Sequence, residues 1–153
     1  MSKKYTSIMD KFKLNRFIKA QEETYSSAMD ELKSGSKYDH WMWFIFPQVE
    51  GLGSTEMTKK FSIKSLEEAK AYLKHEVLGE RLLESCEILL KLEDVSISDV
   101  MGFPDDLKLK SSMTLFESAS SKNSIFSKVL DEYYEGKRDK VTLDIINNLE
   151  KLN

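Results

Sequence analysis

Apolar residues return every three or four positions along most of this chain, and that rhythm restricts it to helices packed on helices. Leu14, Phe17, Ile18, Gln21, Tyr25, Ala28, Met29 and Leu32 form one stripe, which predicts a helix from Leu14 to Lys33. Ser34-Gly35-Ser36 ends it, with Gly35 suited to a left-handed cap. Leu66, Ala69, Tyr72 and Leu73 form another, behind Ser65-Leu66-Glu67-Glu68, which has capping-box spacing. A third carries Leu78, Leu82, Cys86, Leu89 and Leu90. Pro104, Asp105 and Asp106 suit the start of a helix reaching about Ala119. Ile125, Phe126, Val129, Leu130, Tyr133 and Tyr134 mark the next, which Gly136 stops. Asp139 can cap the last, whose stripe is Leu143, Ile145, Ile146, Leu149 and Leu152. Leu outnumbers Val and Ile together, and only two Pro and six Gly interrupt the pattern. The expectation is an all-α single globular domain of six to eight helices with short connections, over residues 13–153, after a polar N-terminal arm over residues 1–12.

At 153 residues the chain has room for one core and needs no disulfide or metal to fold. One cysteine, Cys86, excludes a disulfide framework and a cysteine-rich zinc site, and on its stripe it reads as buried and inert. Two histidines, His40 and His75, exclude a multi-histidine metal site. Neither a Walker loop nor a dinucleotide glycine fingerprint is present, so no cofactor and no metal is expected. No apolar run nears the ~18 residues of a membrane span, and the opening Met1-Ser2-Lys3-Lys4-Tyr5 has no apolar core of a signal peptide. A cytoplasmic protein without a membrane partner is therefore expected. The net charge of −3 denies the chain as a whole the basic footprint of a nucleic-acid binder, leaving room only for a local cluster of lysines.

Two stretches combine apolar density with polar groups that folding alone does not require. The first runs from His40 through Trp41-Met42-Trp43-Phe44-Ile45-Phe46 to Pro47 and Gln48. Six apolar residues in a row belong either to a helix buried on most sides or to a buried strand, and periodicity does not decide between them. Asp39 as an N-cap favours a short helix, and Pro47 ends it. The indole of Trp41 or Trp43 is a candidate wall for a planar ligand, Gln48 a reader of an amide or base edge, and His40 a general acid or base. The plainer reading makes most of the block core.

The second stretch is Asp105-Asp106-Leu107-Lys108-Leu109-Lys110-Ser111-Ser112. On a helix, Lys108, Ser111 and Ser112 share one side, a candidate cradle for an anion. The plainer reading pairs Asp106 with Lys110 one turn on, while the small serines allow close helix packing.

These same stretches carry a resemblance. Lys37-x-x-His40-Trp41-Met42-Trp43-Phe44-Ile45-Phe46-Pro47-Gln48 with Gly51-Leu52-Gly53-Ser54, and Pro104-Asp105-Asp106-x-Lys108-x-x-Ser111-Ser112-Met113-Thr114-Leu115-Phe116, are similar to the signature of the bacterial domain-of-unknown-function family 1810. Arg16-Phe17, Ala20-Gln21, Glu68-Ala69-x-x-Tyr72-Leu73 and Leu78-Gly79-x-Arg81-Leu82 extend the match over about residues 14–135. Some members are labelled calpastatin, which we regard as a misannotation. One departure is Glu76, where the family commonly has Pro after the histidine. The resemblance implies a small all-helical cytoplasmic protein and no particular reaction. It places His40, Gln48, Lys108, Ser111 and Ser112 in the family's pattern beside the apolar positions.

Two functions follow as expectations. One is a pocket in which Trp41 or Trp43 meets the ring, and Lys108 with Ser111 and Ser112 the anion, of a nucleotide-like or other anionic small molecule. His40 is then the proton-transfer group of a hydrolase, with Asp105 or Asp106 as the alternative. The other is a non-enzymatic module whose charged helices meet a protein partner.

Overall fold

The computed structural model describes residues 10–121 and 123–151, and among them the protein is all-α with ten helices. In chain order these are α1 (Asn15–Glu22), α2 (Tyr25–Ser34), α3 (Met42–Ile45), α4 (Glu56–Lys60) and α5 (Leu66–Lys74). They continue with α6 (Leu78–Lys91), α7 (Ile97–Met101), α8 (Asp105–Ser118), α9 (Ile125–Tyr134) and α10 (Lys140–Lys151). The only extended pairing among the described residues is a single bridge between Val49 and Ile63. Most of the expected arm, with Lys3 and Lys4, lies outside the described residues, as does Leu152 of the last stripe.

Ten helices replace the expected six to eight for two local reasons. The stripe from Leu14 to Lys33 is broken after Glu22, where Thr24 N–H bonds the carbonyl of Gln21 at 3.1 Å, a tighter turn than the α-helix makes. After the break, α1 packs against α3, with Gln21 bonded to the Phe44 carbonyl, while α2 packs against α6, with Met29 meeting Ser85. Ile97–Met101, which none of the predicted stripes covers, forms a short helix capped by the Ser96 hydroxyl, which accepts from Asp99 N–H.

Local signals set most other ends. Gly35 takes the left-handed conformation after α2, with φ of 79°. Ser65 accepts from Glu68 N–H at 3.0 Å, while the Glu68 carboxylate reaches back one residue further than the capping box requires, to Lys64 N–H. Asp139 Oδ2 accepts from Thr142 N–H at 3.0 Å. His75, which follows α5, acts as an acceptor. Its Nδ1 accepts from Val77 and Leu78 N–H and so caps the start of α6. Burial lowers its pKa from the usual histidine value, against Glu76 and Asp10, which suits an accepting neutral ring.

The core is built on α6 and α8. α6 packs against α2, α5 and α9, and α8 against α5, α7, α9 and α10. Gly79 seats α6 on the end of α5, because a Cβ there would lie 2.2 Å from the carbonyl oxygen of Leu73. Aromatic rings run through the interior in sequence: Phe44, Phe61, Phe17, Tyr72, Phe116 and Phe126, with neighbouring centroids 5.2–5.8 Å apart. α8 is buried on all sides along its second half, where Ser111 through Phe116 are all inside. Its hydroxyls make this tolerable by bonding carbonyls one turn back, Ser111 to Leu107 at 3.2 Å and Thr114 to Lys110 at 2.8 Å. Cys86 is fully buried in this core, and burial pushes its thiol well above the usual value.

Candidate functional site

A cleft of about 330 Å3 opens where the segment before α3 meets the turn between α7 and α8. His40, Trp43 and Lys108 all line it, together with Lys37, Asp105 and Phe103. The Trp block that places the first two is helical. Its turn, α3, starts after Trp41 rather than after Asp39, and Trp41 makes no side-chain cap. Asp39 lies two residues before the helix's N-cap position, in a segment where its N–H bonds Glu31 and its carbonyl accepts from the Lys37 ammonium at 2.5 Å.

Glu31, near the end of α2, organises this segment. Its Oε1 accepts from Tyr38 N–H at 2.7 Å, from Asp39 N–H at 3.0 Å and from the Trp41 indole at 3.0 Å. Burial alone would raise the Glu31 carboxyl, but these hydrogen bonds outweigh it and hold the group below the usual carboxylate range. The Lys37 backbone is tied in turn to α7, its N–H bonding the carbonyl of Val100 at 2.8 Å. On the far side of the block, buried Gln21 donates to the carbonyl of Phe44 at 2.6 Å and accepts from Arg81. The block is thus held from both sides by side chains distant in sequence.

The charges in the cleft divide unequally. Lys37, with a side chain only 6% exposed, pairs with Asp105 Oδ2 at 2.7 Å and lies 4.7 Å from the centre of the Trp41 ring. Its charge is therefore internally compensated. Lys108, with 29% of its side chain exposed, stands 3.8 Å from Asp105 Oδ1 and 5.4 Å above the Trp43 ring. It is the cation that faces open space. The Trp43 indole N–H is buried and has no hydrogen-bond partner among the described residues. Phe103 and Tyr38, 82% and 76% exposed, stand at the rim.

Residues 11–146 match the protein family of unknown function DUF1810. The chain belongs to that family. The conserved hypothetical protein Rv1873 from Mycobacterium tuberculosis, a solved structure, is 46% identical, with a TM-score of 0.87 over 89% of this chain and 97% of that one. No curated protein matches the chain.

In this DUF1810 member the residues singled out from sequence separate into two groups. His40, Trp43 and Lys108 share the cleft; Trp41, Gln48, Ser111 and Ser112 do not line it. Trp41 is wholly buried beneath the cleft, its indole spent on Glu31. Gln48 lies on the other side of Trp43, beside Thr58 and Phe61 at a dimple of about 10 Å3. Ser111 bonds the carbonyl of Leu107, and Ser112 is fully buried with its hydroxyl unpaired among the described residues. Both serines are inside because their side of α8 is packed, so neither cradles an anion with Lys108. The expected Asp106–Lys110 pair does not form either. Asp106 turns inward and accepts from the Ser98 hydroxyl at 2.9 Å, and the ion pair on this helix is Asp105 with Lys108.

Sequence reasoning missed the framing residues Glu31 and Lys37 and the rim residues Tyr38 and Phe103. Phe103 beside Pro104 in a polar loop was a readable signal, since a large ring there has no stripe to join. Glu31 carried none, because its partners belong to a loop whose path depends on α7. Among the described residues no three His, Cys, Asp or Glu side chains gather as a metal site, and no helix is long and apolar enough to cross a membrane.

Proposed function

We propose that this cleft binds a small anionic molecule carrying a planar ring, nucleotide-like in its chemistry. The observation that supports this most is the solvent-facing Lys108 ammonium held 5.4 Å over the Trp43 ring in a cleft with exposed Phe103 and Tyr38 at its rim. An anionic group meets Lys108, and a ring lies among Trp43, Phe103 and Tyr38. The Lys37–Asp105 pair fixes the floor rather than the ligand. Hydrolysis of a glycosidic or phosphoester bond is the reaction this reading admits, with exposed His40 as the proton-transfer group and Asp105 as the alternative.

A thermal-shift panel of nucleotides and sugar phosphates tests it. A ligand at ~100 times its Kd adds about 2.7 kcal/mol, a rise of roughly 5–10 °C for a domain of this size. Trp fluorescence should change with the same ligand, and Lys108→Ala should abolish both signals. His40→Ala should leave binding intact and remove any turnover. A flat panel with unchanged fluorescence would sink the reading. It would favour instead a protein-binding surface, for which the specific observation is the pair of exposed rings, Tyr38 and Phe103, at one rim.

A further inference from the structure

Two adjoining hollows, of about 590 and 510 Å3, lie where the start of α1 meets α4 and the start of α5, and they share Lys13, Arg16 and Lys60. They form one groove edged by Lys11, Lys13, Lys19, Lys59, Lys60 and Lys64. All six side chains are exposed. None of them takes part in an ion pair among the described residues.

The acidic groups of the groove are already used. Asp10 caps α1, accepting from Leu14 and Asn15 N–H. Glu68 is 3% exposed and bound to Arg16 at 2.8 Å. Arg16 is equally committed. Its Nε donates to the carbonyl of Lys60 at 2.7 Å, its Nη1 to those of Phe12 and Lys13, and its Nη2 to that of Ser62 and to Glu68. All five donors of the guanidinium are thereby spent on the protein. They pin together the two backbone segments that present the lysines. A frame pinned by Arg16 thus holds six ammoniums, without an ion pair among the described residues, around a hollow on a chain whose net charge is −3.

From this segregation of charge we infer that the groove binds the phosphodiester backbone of a single-stranded nucleic acid, without reading its sequence. Three features favour that occupant. The surface is concave, as an extended strand requires and a bilayer does not. Among the described residues, none of the large apolar side chains that stand exposed lines the groove, and the rings that do, half-buried Phe12 and buried Phe61, are packed on the core rather than presented to lipid. The groups presented are ammoniums, point charges suited to phosphates along a flexible chain. The whole-chain charge concealed this face because a sum says nothing about placement.

Fluorescence anisotropy with labelled 12-mers of uridine and of adenosine, across a KCl series, tests the inference. With on the order of four phosphates neutralised, the affinity should fall about 50-fold between 50 and 200 mM salt, nearly alike for both sequences. The double variant Lys13→Glu/Lys60→Glu should lose at least tenfold in affinity. Lys91→Glu/Lys128→Glu, on exposed positions away from the groove, should change it less than twofold. Far-UV circular dichroism on each variant confirms that it is folded. No binding at 50 mM KCl, equal losses in both double variants, or competition by polyglutamate as effective as by unlabelled RNA would each overturn the proposal.

Discussion

The cleft and the groove are both framed by a partly buried cation, and the two cations are used differently. In the groove, Arg16 spends every donor on the frame, and six exposed lysines have no ion pair among the described residues. In the cleft, Lys37 is neutralised by Asp105, and Lys108 is left as the one solvent-facing cation among rings. The lesson is that the count of positive residues near a hollow does not give its function. What matters is which charges the fold has already compensated. A groove of free ammoniums answers to salt and to polyanions, while a single ammonium over an indole answers to shape.

Removing the groove's frame should have the largest effect. Arg16→Ala leaves buried Glu68 uncompensated and four carbonyls on two backbone segments without a donor, and should cost about 3 kcal/mol in urea denaturation. Arg16→Lys should recover less than half of that, because one ammonium cannot replace a five-donor fork. Full recovery by lysine would mean that charge, not geometry, holds the groove.

The cleft's frame should respond to pH instead. Glu31 has a folded pKa below its unfolded value, so the folded protein binds fewer protons and stability rises with pH. The Glu31 contribution is complete above about pH 4.3, the ordinary glutamate value, and is lost as pH falls through the lowered one. Glu31→Gln should cost about 1–2 kcal/mol at pH 7, since a neutral amide accepts more weakly from three N–H groups. It should also flatten the acid limb of the stability curve. An unchanged limb would assign it wholly to other carboxylates, among them Glu117, which the Arg138 hydrogen bond holds low.

The smallest expected effect on stability is at the cleft rim. Phe103→Ala removes a ring that is 82% exposed and should change stability by less than about 0.5 kcal/mol. If the cleft takes a ring-bearing ligand, the same variant should weaken its binding several-fold. A stability loss above ~1 kcal/mol would instead make Phe103 part of the packing.

Much of the helical framework was legible because its causes are local. Gly35, Ser65 and Asp139 act on neighbours within four positions, and each ends or starts a helix where sequence places it. The break after Glu22 was not legible, since the stripe continues through it and only the packing against α3 and α6 bends it. Of the seven proposed site residues, His40, Trp43 and Lys108 line one cleft. The serines looked right because a helical wheel gives the face of a residue but not what that face meets. α8 meets protein on every side of its second half.

The all-helical class, most of the caps, the buried thiol of Cys86 and the two stretches from which the cleft is made were all readable from residue order. These depend on periodicity and on hydrogen bonds between near neighbours, which any short window contains. Packing of the helices settled that Trp43 rather than Trp41 lines the cleft, that Asp105 neutralises Lys37, and that six lysines surround Arg16. Each of those outcomes turns on groups far apart in the chain competing for the same few ångströms, where burial and distance rather than residue type fix which charge is compensated and which is left free.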